Sequence, residues 1–467
     1  MADEQIDLMA HLMRRVGVGA TRDELEVLAA RPYEEVVEDL IHPERFVDED
    51  LDALDRYFPS SRSNDTPTVW AGRWLYHLVN SRRPLRHKMA LFWHHVFATG
   101  WFKSEHGPSI VEQIDTFREN GLSNLRQILL DLSRDPAMIY WLDNCENQAT
   151  AINENYGREL LELFSMGIGH YTETDIKMAA RAFTGWTFEQ PIPLYPFGGY
   201  PSKFVYRADL HDGGEKTFLG QTGNFDGEDI VDIIVQQDAC ARFIARHLYN
   251  YFVADEPQVP AWSVTPPQDP AAIETLVAAY RDSDADIRSV MRALLNAEFF
   301  KRARFKRVKS PAELVAGVVK LSGALTFPNP LAVRMATATE LMGQKLMDPP
   351  SVEGWHTGKE WIDGGTLTER VNFAVGQVSD PKRPGVQAIV RRLAADGEPL
   401  APEVFVQRCL DLAGPLAVGE DTRAALNELA AEAGPLTLAG NGADGAGARR
   451  VARMLSLIVA APEYQFC

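Results

Sequence analysis

Four charged residues, Glu154, Arg158, Glu159 and Glu162, fall within NENYGRELLELF (153–164), beside Tyr156, Leu160, Leu163 and Phe164. At about 100° per residue a helix through this stretch is split, with charges on one face and large apolar side chains on the other. Glu154 and Arg158 are four apart, as are Arg158 and Glu162, so the spacing predicts a ladder of ion pairs. Exposed pairs of that kind stabilise a helix by only ~0.3–0.5 kcal/mol each. A solvated amphipathic helix accounts for the pattern by itself. If the face lines a cleft instead, a glutamate (Glu154 or Glu159) is suited to general-base work and Arg158 to orienting an anionic group.

Histidines supply the next candidates. His94 and His95 sit together in LFWHHVFATGWF (91–102) among large apolar residues. Neighbours on a helix point about 100° apart, so the two do not easily hold one metal ion. A histidine in such company is expected to be a hydrogen-bonded core residue, and His94 is kept as a binding candidate. His170, in Gly169-His170-Tyr171, lies in a turn ahead of a helix that begins near Glu173, where free N–H groups are close. His211 and Asp212, in LHDGG (210–214), are either an acid/base pair or a turn that needs Asp-Gly chemistry. Trp186, Trp355 and Trp361 are aromatic binding candidates in Gly- and Pro-rich surroundings.

Familiar catalytic signatures are missing from the sequence. There is no H-E-x-x-H or G-x-S-x-G, and GWHTGKEW lacks the Walker frame. The Glu-x-x-His repeats of a di-iron bundle are missing as well. No metal ligand set and no cofactor are indicated. The four cysteines, at 145, 240, 409 and 467, are too widely spaced for a zinc ribbon or a disulfide framework. Buried thiols in a reducing compartment are expected.

The elements that must position these residues are helical. Apolar residues recur three and four apart near 5–15, 22–42, 68–80, 84–98, 108–134, 153–166, 173–184, 228–253, 269–297, 310–324, 329–344, 366–376, 384–395, 402–413, 420–433 and 447–461. Thr172 to Asp175 reads as a capping box, Pro311 after Ser310 suits a first helical position, and Asp135-Pro136 suits another start. Two stretches depart from the helical period. In 186–227, KFVYRADLHDGGEKTFLG alternates like two strands around Asp212-Gly213-Gly214, which predicts a β-hairpin. KLMDPPSVEGWHTGKEWIDGG (345–365) is a long Pro/Gly/Trp loop of the kind that carries function. A flexible Gly/Ala-rich connector is expected at 434–448, before the last helix. The expectation is a single all-α domain over 1–467 with a small β-hairpin excursion.

Composition narrows the function classes. With 45% hydrophobic and 24% charged residues in 467, the chain is of ordinary globular type. A net charge of −18 argues against broad nucleic-acid binding. The acidic start and the lack of a long uncharged apolar run predict no signal peptide and no membrane span, hence a soluble cytoplasmic protein, unless an export signal has been trimmed.

Taken together, HLMRRVGVGAT, LFWHHVFATG, NENYGRELLELF with the following YTE and ARAFTGW, LHDGGEKTFLG, ARFIARHLYNYFV, PPSVEGW and the closing APEYQF resemble the bacterial domain-of-unknown-function family 1800 (DUF1800) from about residue 10 to 465. The resemblance implies a large helical bacterial protein without an agreed activity. Many relatives carry export signals, and many are paired with a sulfatase-like partner protein. Relatives often show W-H-x-H-F, whereas this chain has Val96 at the second histidine position. The resemblance carries over no catalytic residue.

Three functions follow as expectations. The first is an enzyme whose polar cleft gathers Glu154, Arg158, Glu159, His94, His170, His211 and Asp212 under the Trp355 loop. The second is a helical assembly module that holds a protein such as the sulfatase-like partner through Trp355 and Trp361. The third is a metal or haem protein.

Overall fold

The computed structural model describes residues 2–47, 56–57, 66–104, 106–190, 201–258, 261–395, 399–438 and 445–467. Helices dominate, and the sequence periods place them well. The segments near 22–42, 108–134, 228–253 and 269–297 each form two helices rather than one. The breaks are chemical. Pro32 opens Tyr33–Ile41, Asn124 caps Leu125–Arg134, and Asp286 caps Ile287–Asn296 after Asp284 and Ala285 take positive φ. The capping box at Thr172 forms as its sequence predicts, and Pro311 takes the first position of its helix, which Ser310 and Glu313 close with a further capping box. Of the expected connector, residues 439–444 lie outside the described residues.

Helix Pro84–Val96 is buried nearly all round: ten of its 13 residues are buried, His87, Lys88 and His94 among them. Such a helix belongs in the interior. Asp238–Phe252 and Pro311–Ser322 are buried in the same way. One continuous apolar core runs from Ile6 to Tyr464, as an all-α single domain requires. Small residues set the closest approaches. A Cβ at Gly72 would lie 2.8 Å from the Ala332 carbonyl oxygen, so helix Pro67–Asn80 rests directly on helix Leu331–Leu341. A Cβ at Gly157 would meet the Ala180 nitrogen at 2.9 Å, which docks helix Asn155–Glu162 against helix Glu173–Ala182.

The β excursion is real, but its pairing differs from the expected hairpin. The strands on either side of Asp212-Gly213-Gly214 do not pair with each other. Strand β2 (Lys203–Tyr206) pairs back with β1 (Trp186–Glu189), and β3 (Lys216–Phe218) pairs forward with β4 (Gln221–Gly223). The tight turn of the second ladder is Leu219-Gly220, both at positive φ. The turn at Asp212 is occupied otherwise: Arg181 donates to both Asp212 oxygens at 2.6 and 3.1 Å.

The long loop folds tightly onto the core. Trp355 and Trp361 pack with Val308 as a small apolar cluster beneath it. The Met347 N–H donates to His94 Nε2 at 3.0 Å, and the Trp101 N–H donates to the Met347 carbonyl at 3.0 Å. A short 3-10 turn, Gly358–Trp361, leads into helix Gly364–Val378.

Candidate functional site

Three elements converge on one concave recess. Helix Pro84–Val96 brings His95, helix Asp238–Phe252 brings His247 and Asn250, and the long loop brings Glu353, Trp355 and His356. Leu163, just past helix Asn155–Glu162, closes one side and Trp262 another. Glu159 stands four residues before Leu163 and is not itself on the walls. Glu353 acts on Glu159 electrostatically, which ties that carboxyl to the recess. A second recess of about 780 Å³, with Glu162, His170 and Arg242 on its walls, adjoins through the shared Trp262.

The loop is held over the recess by a fixed set of bonds. The Thr357 N–H donates to Gln258 Oε1 at 3.0 Å, and Gln258 Nε2 donates to Thr357 Oγ1 at 2.8 Å. The Glu256 N–H donates to Asn250 Oδ1 at 2.7 Å. Arg246 reaches Glu256 at 2.7 Å in a buried ion pair and lies over the Trp262 ring. Gly354 takes φ +80°, and a Cβ there would lie 2.4 Å from the His95 carbonyl oxygen. Only glycine lets the loop press so closely on the end of that helix.

The protonation states are set by burial and by neighbouring charge. Burial first, then Arg307 and His356, brings the His95 ring down to about 4. Burial, His95 and Arg246 hold His247 well below the usual histidine range. Both imidazoles are therefore neutral near pH 7. His247 is clamped between Phe243 (4.3 Å between centroids) and Trp262 (4.5 Å). Its buried Nε2 has no hydrogen-bond partner among the described residues. A buried polar atom of that kind calls for a ligand or a water. Glu159 behaves in the opposite sense: burial, then Glu162 and Glu353, pushes its carboxyl up to about 7 against the pull of Arg158.

The other candidates are distributed differently. Arg158 is 3.0 and 2.8 Å from the two Glu173 oxygens and 3.5 Å from Glu154, and makes no bond to His94, His170 or His211. Glu162 accepts instead from the Tyr171 hydroxyl at 2.9 Å, so the expected Arg158–Glu162 rung is not formed. His94 is fully buried against Trp74 and Trp355, and its Nε2 is taken by the Met347 N–H, which makes it a peg for the loop. His211 Nδ1 lies 3.0 Å from the Thr184 carbonyl, and Asp212 is paired with Arg181; the two are not an acid/base couple. Trp186 is buried against Phe183 and Phe204. Trp355 and Trp361 are each 5% exposed and pack inward, which removes them as outward anchors for a partner. Of the expected cleft, the Trp355 loop lines the main recess, Glu159 lies near enough to feel the charge of Glu353 on its wall, and His170 lies in the adjoining recess.

Sequence reasoning passed over His95, His247, Glu353 and Trp262 as site residues. A signal for His247 exists: Arg246, His247 and Asn250 form a polar stripe at spacings of three and four in an otherwise apolar helix.

Among the described residues, no group of three His, Cys, Asp or Glu side chains is placed to hold a metal ion. No helix among them is long and apolar enough to cross a membrane. A family model described as a protein of unknown function, DUF1800, matches residues 11–466. No curated protein and no solved structure matches the chain.

Proposed function

We propose that this chain, which belongs to the DUF1800 family of proteins of unknown function, is an enzyme that performs general acid–base chemistry on a small polar substrate in the recess beneath the Trp355 loop. One placement carries the reading: Glu159, half-buried and with its carboxyl raised by burial, Glu162 and Glu353, neighbours a recess walled by His95, His247 and Glu353, and His247 has a buried nitrogen without a hydrogen-bond partner among the described residues. A proton-transfer group works best when its pKa lies near the working pH, and paired carboxylates in a partly dry site are a standard way to reach that value. Perturbed titration in a cleft is itself a marker of function.

Hydrolysis is the reaction that needs only these groups and water. Glu159 as carboxylate takes a proton from water as the oxygen adds to the substrate carbon. The same carboxyl returns that proton to the departing group, so charge and protons balance. His95 and His247 hold the substrate as hydrogen-bonding partners, and His247 Nε2 gains the partner it lacks. Thr357, Gln258 and Asn250 keep the roof in register.

The test is a fluorogenic panel of esters, amides, glycosides and phosphate esters, run with wild type and Glu159→Gln. At least one class is turned over by wild type, with a rate inflection near pH 7 and a loss of ~10²–10⁴-fold in the variant. Turnover of none of the classes, or equal turnover by both proteins, overturns the proposal.

A further inference from the structure

Around helix Pro311–Ser322 lies a concentration of buried positive charge. Arg14, Arg15, Lys88, Arg307, Lys309 and Arg370 are each at most 9% exposed. They are linked: Lys88 and Arg307 both bind Glu313, Arg15 and Arg307 both approach Cys467 Sγ, and Arg370 donates to the Lys309 carbonyl at 2.7 Å. Against these six cations stand four sources of negative charge, namely Glu313, Asp255, Cys467 and Asp7. Buried charge without a counter-charge is costly and is normally paired.

A cavity opens onto the surplus. Its walls include Arg14, Lys309, Lys320, Glu313, Tyr464 and Cys467. Arg14 uses one terminal nitrogen on the Gly414 carbonyl at 2.6 Å, while its buried Nε has no partner among the described residues. Lys309 donates to the Tyr464 carbonyl at 2.6 Å and keeps two further N–H groups. Burial lowers the Lys309 ammonium to about 7 and the Arg14 guanidinium to about 10, in each case against the opposing pull of Cys467. An entering anion would hold Lys309 in its charged form and give the Arg14 guanidinium a counter-charge.

We infer that this cavity binds a small oxyanion, a phosphate or carboxylate group, held between Arg14 and Lys309, with Lys320, paired with Glu24 at 3.3 Å, at its wall. Guanidinium and ammonium donors around a dry cavity are the chemistry that recognises such groups. This site is separate from the recess under Trp355 and does not depend on the activity proposed there.

The experiment titrates the wild-type protein with inorganic phosphate and, in a separate arm, with acetate. Chloride at matched ionic strength is the reference, and the readouts are calorimetry and thermal unfolding. The expected result is a saturable one-to-one heat in at least one arm and a Tm rise of about 2 °C at saturation; the responding arm identifies the group. Arg14→Met weakens binding by at least about tenfold. Ala10 is 3% exposed, lines the same cavity, and precedes Arg14 by one helical turn. Ala10→Glu therefore supplies a carboxylate from within, and the variant no longer responds to the anion. Neither arm exceeding chloride in wild type, or an unchanged response in Ala10→Glu, overturns the inference.

Discussion

Glu313 and Glu159 are the same residue type in opposite electrostatic settings. Glu313 is buried between Lys88 and Arg307, 2.7 Å from the latter, and also closes the capping box of its helix by accepting from the Ser310 N–H. Although burial is the largest influence and opposes it, the two cations hold its carboxyl far below the usual carboxylate range. Glu159 meets Glu162 and Glu353 instead, and burial drives it up to about 7. One carboxylate is fully committed to structure. The other keeps a proton it can exchange at neutral pH. The difference teaches where chemistry is available in this fold: at incompletely satisfied groups beside a recess, and not at the most heavily charged position.

Breaking the first member of the pair has the largest expected effect. Glu313→Gln leaves Lys88 and Arg307 buried with an uncompensated charge and costs about 3–5 kcal/mol, read from denaturant midpoints at pH 7. The second largest effect concerns His94, the peg between core and loop. Burial lowers its ring to about 3, so its folded value lies below the unfolded one. The unfolded chain takes up the proton first. The stability that the neutral ring contributes is present above pH 6.5 and is lost as the pH falls toward 3. At pH 5 the loss is about 2 kcal/mol, and His94→Gln flattens the pH dependence of the urea midpoint by that amount.

The Glu159 prediction has the opposite sign. Its folded value is raised, so the native state keeps a proton that the unfolded chain has released between about 4.5 and 7. Its contribution falls as the pH rises through that window. Glu159→Gln is therefore more stable than wild type at pH 8, by about 1 kcal/mol after allowance for solvent screening, with no gain at pH 4. A variant that gains stability while losing turnover is the signature of a site kept strained for function. The smallest effect sits one residue away. Arg158→Ala removes exposed pairs to Glu173 and Glu154 and changes the unfolding free energy by ~0.5 kcal/mol or less.

Local chemistry carried most of the fold into the sequence. Apolar period and caps placed the helices, because Thr172, Ser310 and Pro311 act within one turn of themselves. Strand pairing was not legible: alternation in 203–218 shows two strands but not which neighbour each takes, and Arg181 claims the turn between them. The tryptophans misled for a related reason. Trp355 and Trp361 look exposed in a Gly- and Pro-rich loop, yet Val308, about fifty residues upstream, offers them an apolar seat. In the His94-His95 pair the helix phase decides the roles, turning His94 into the core and His95 to the recess. Arg158 chose Glu173, on the next helix, over Glu162, because Gly157 brings the two helices into contact.

The claim on which the functional reading rests is the ionisation of one side chain. Isotope-edited infrared titration of the Glu159 carboxyl, in wild type and in Glu353→Gln, measures it directly. The expected midpoint is about 7 in wild type and lower in Glu353→Gln, since Glu353 contributes to raising it. A midpoint near 4.5 in both proteins would contradict the account.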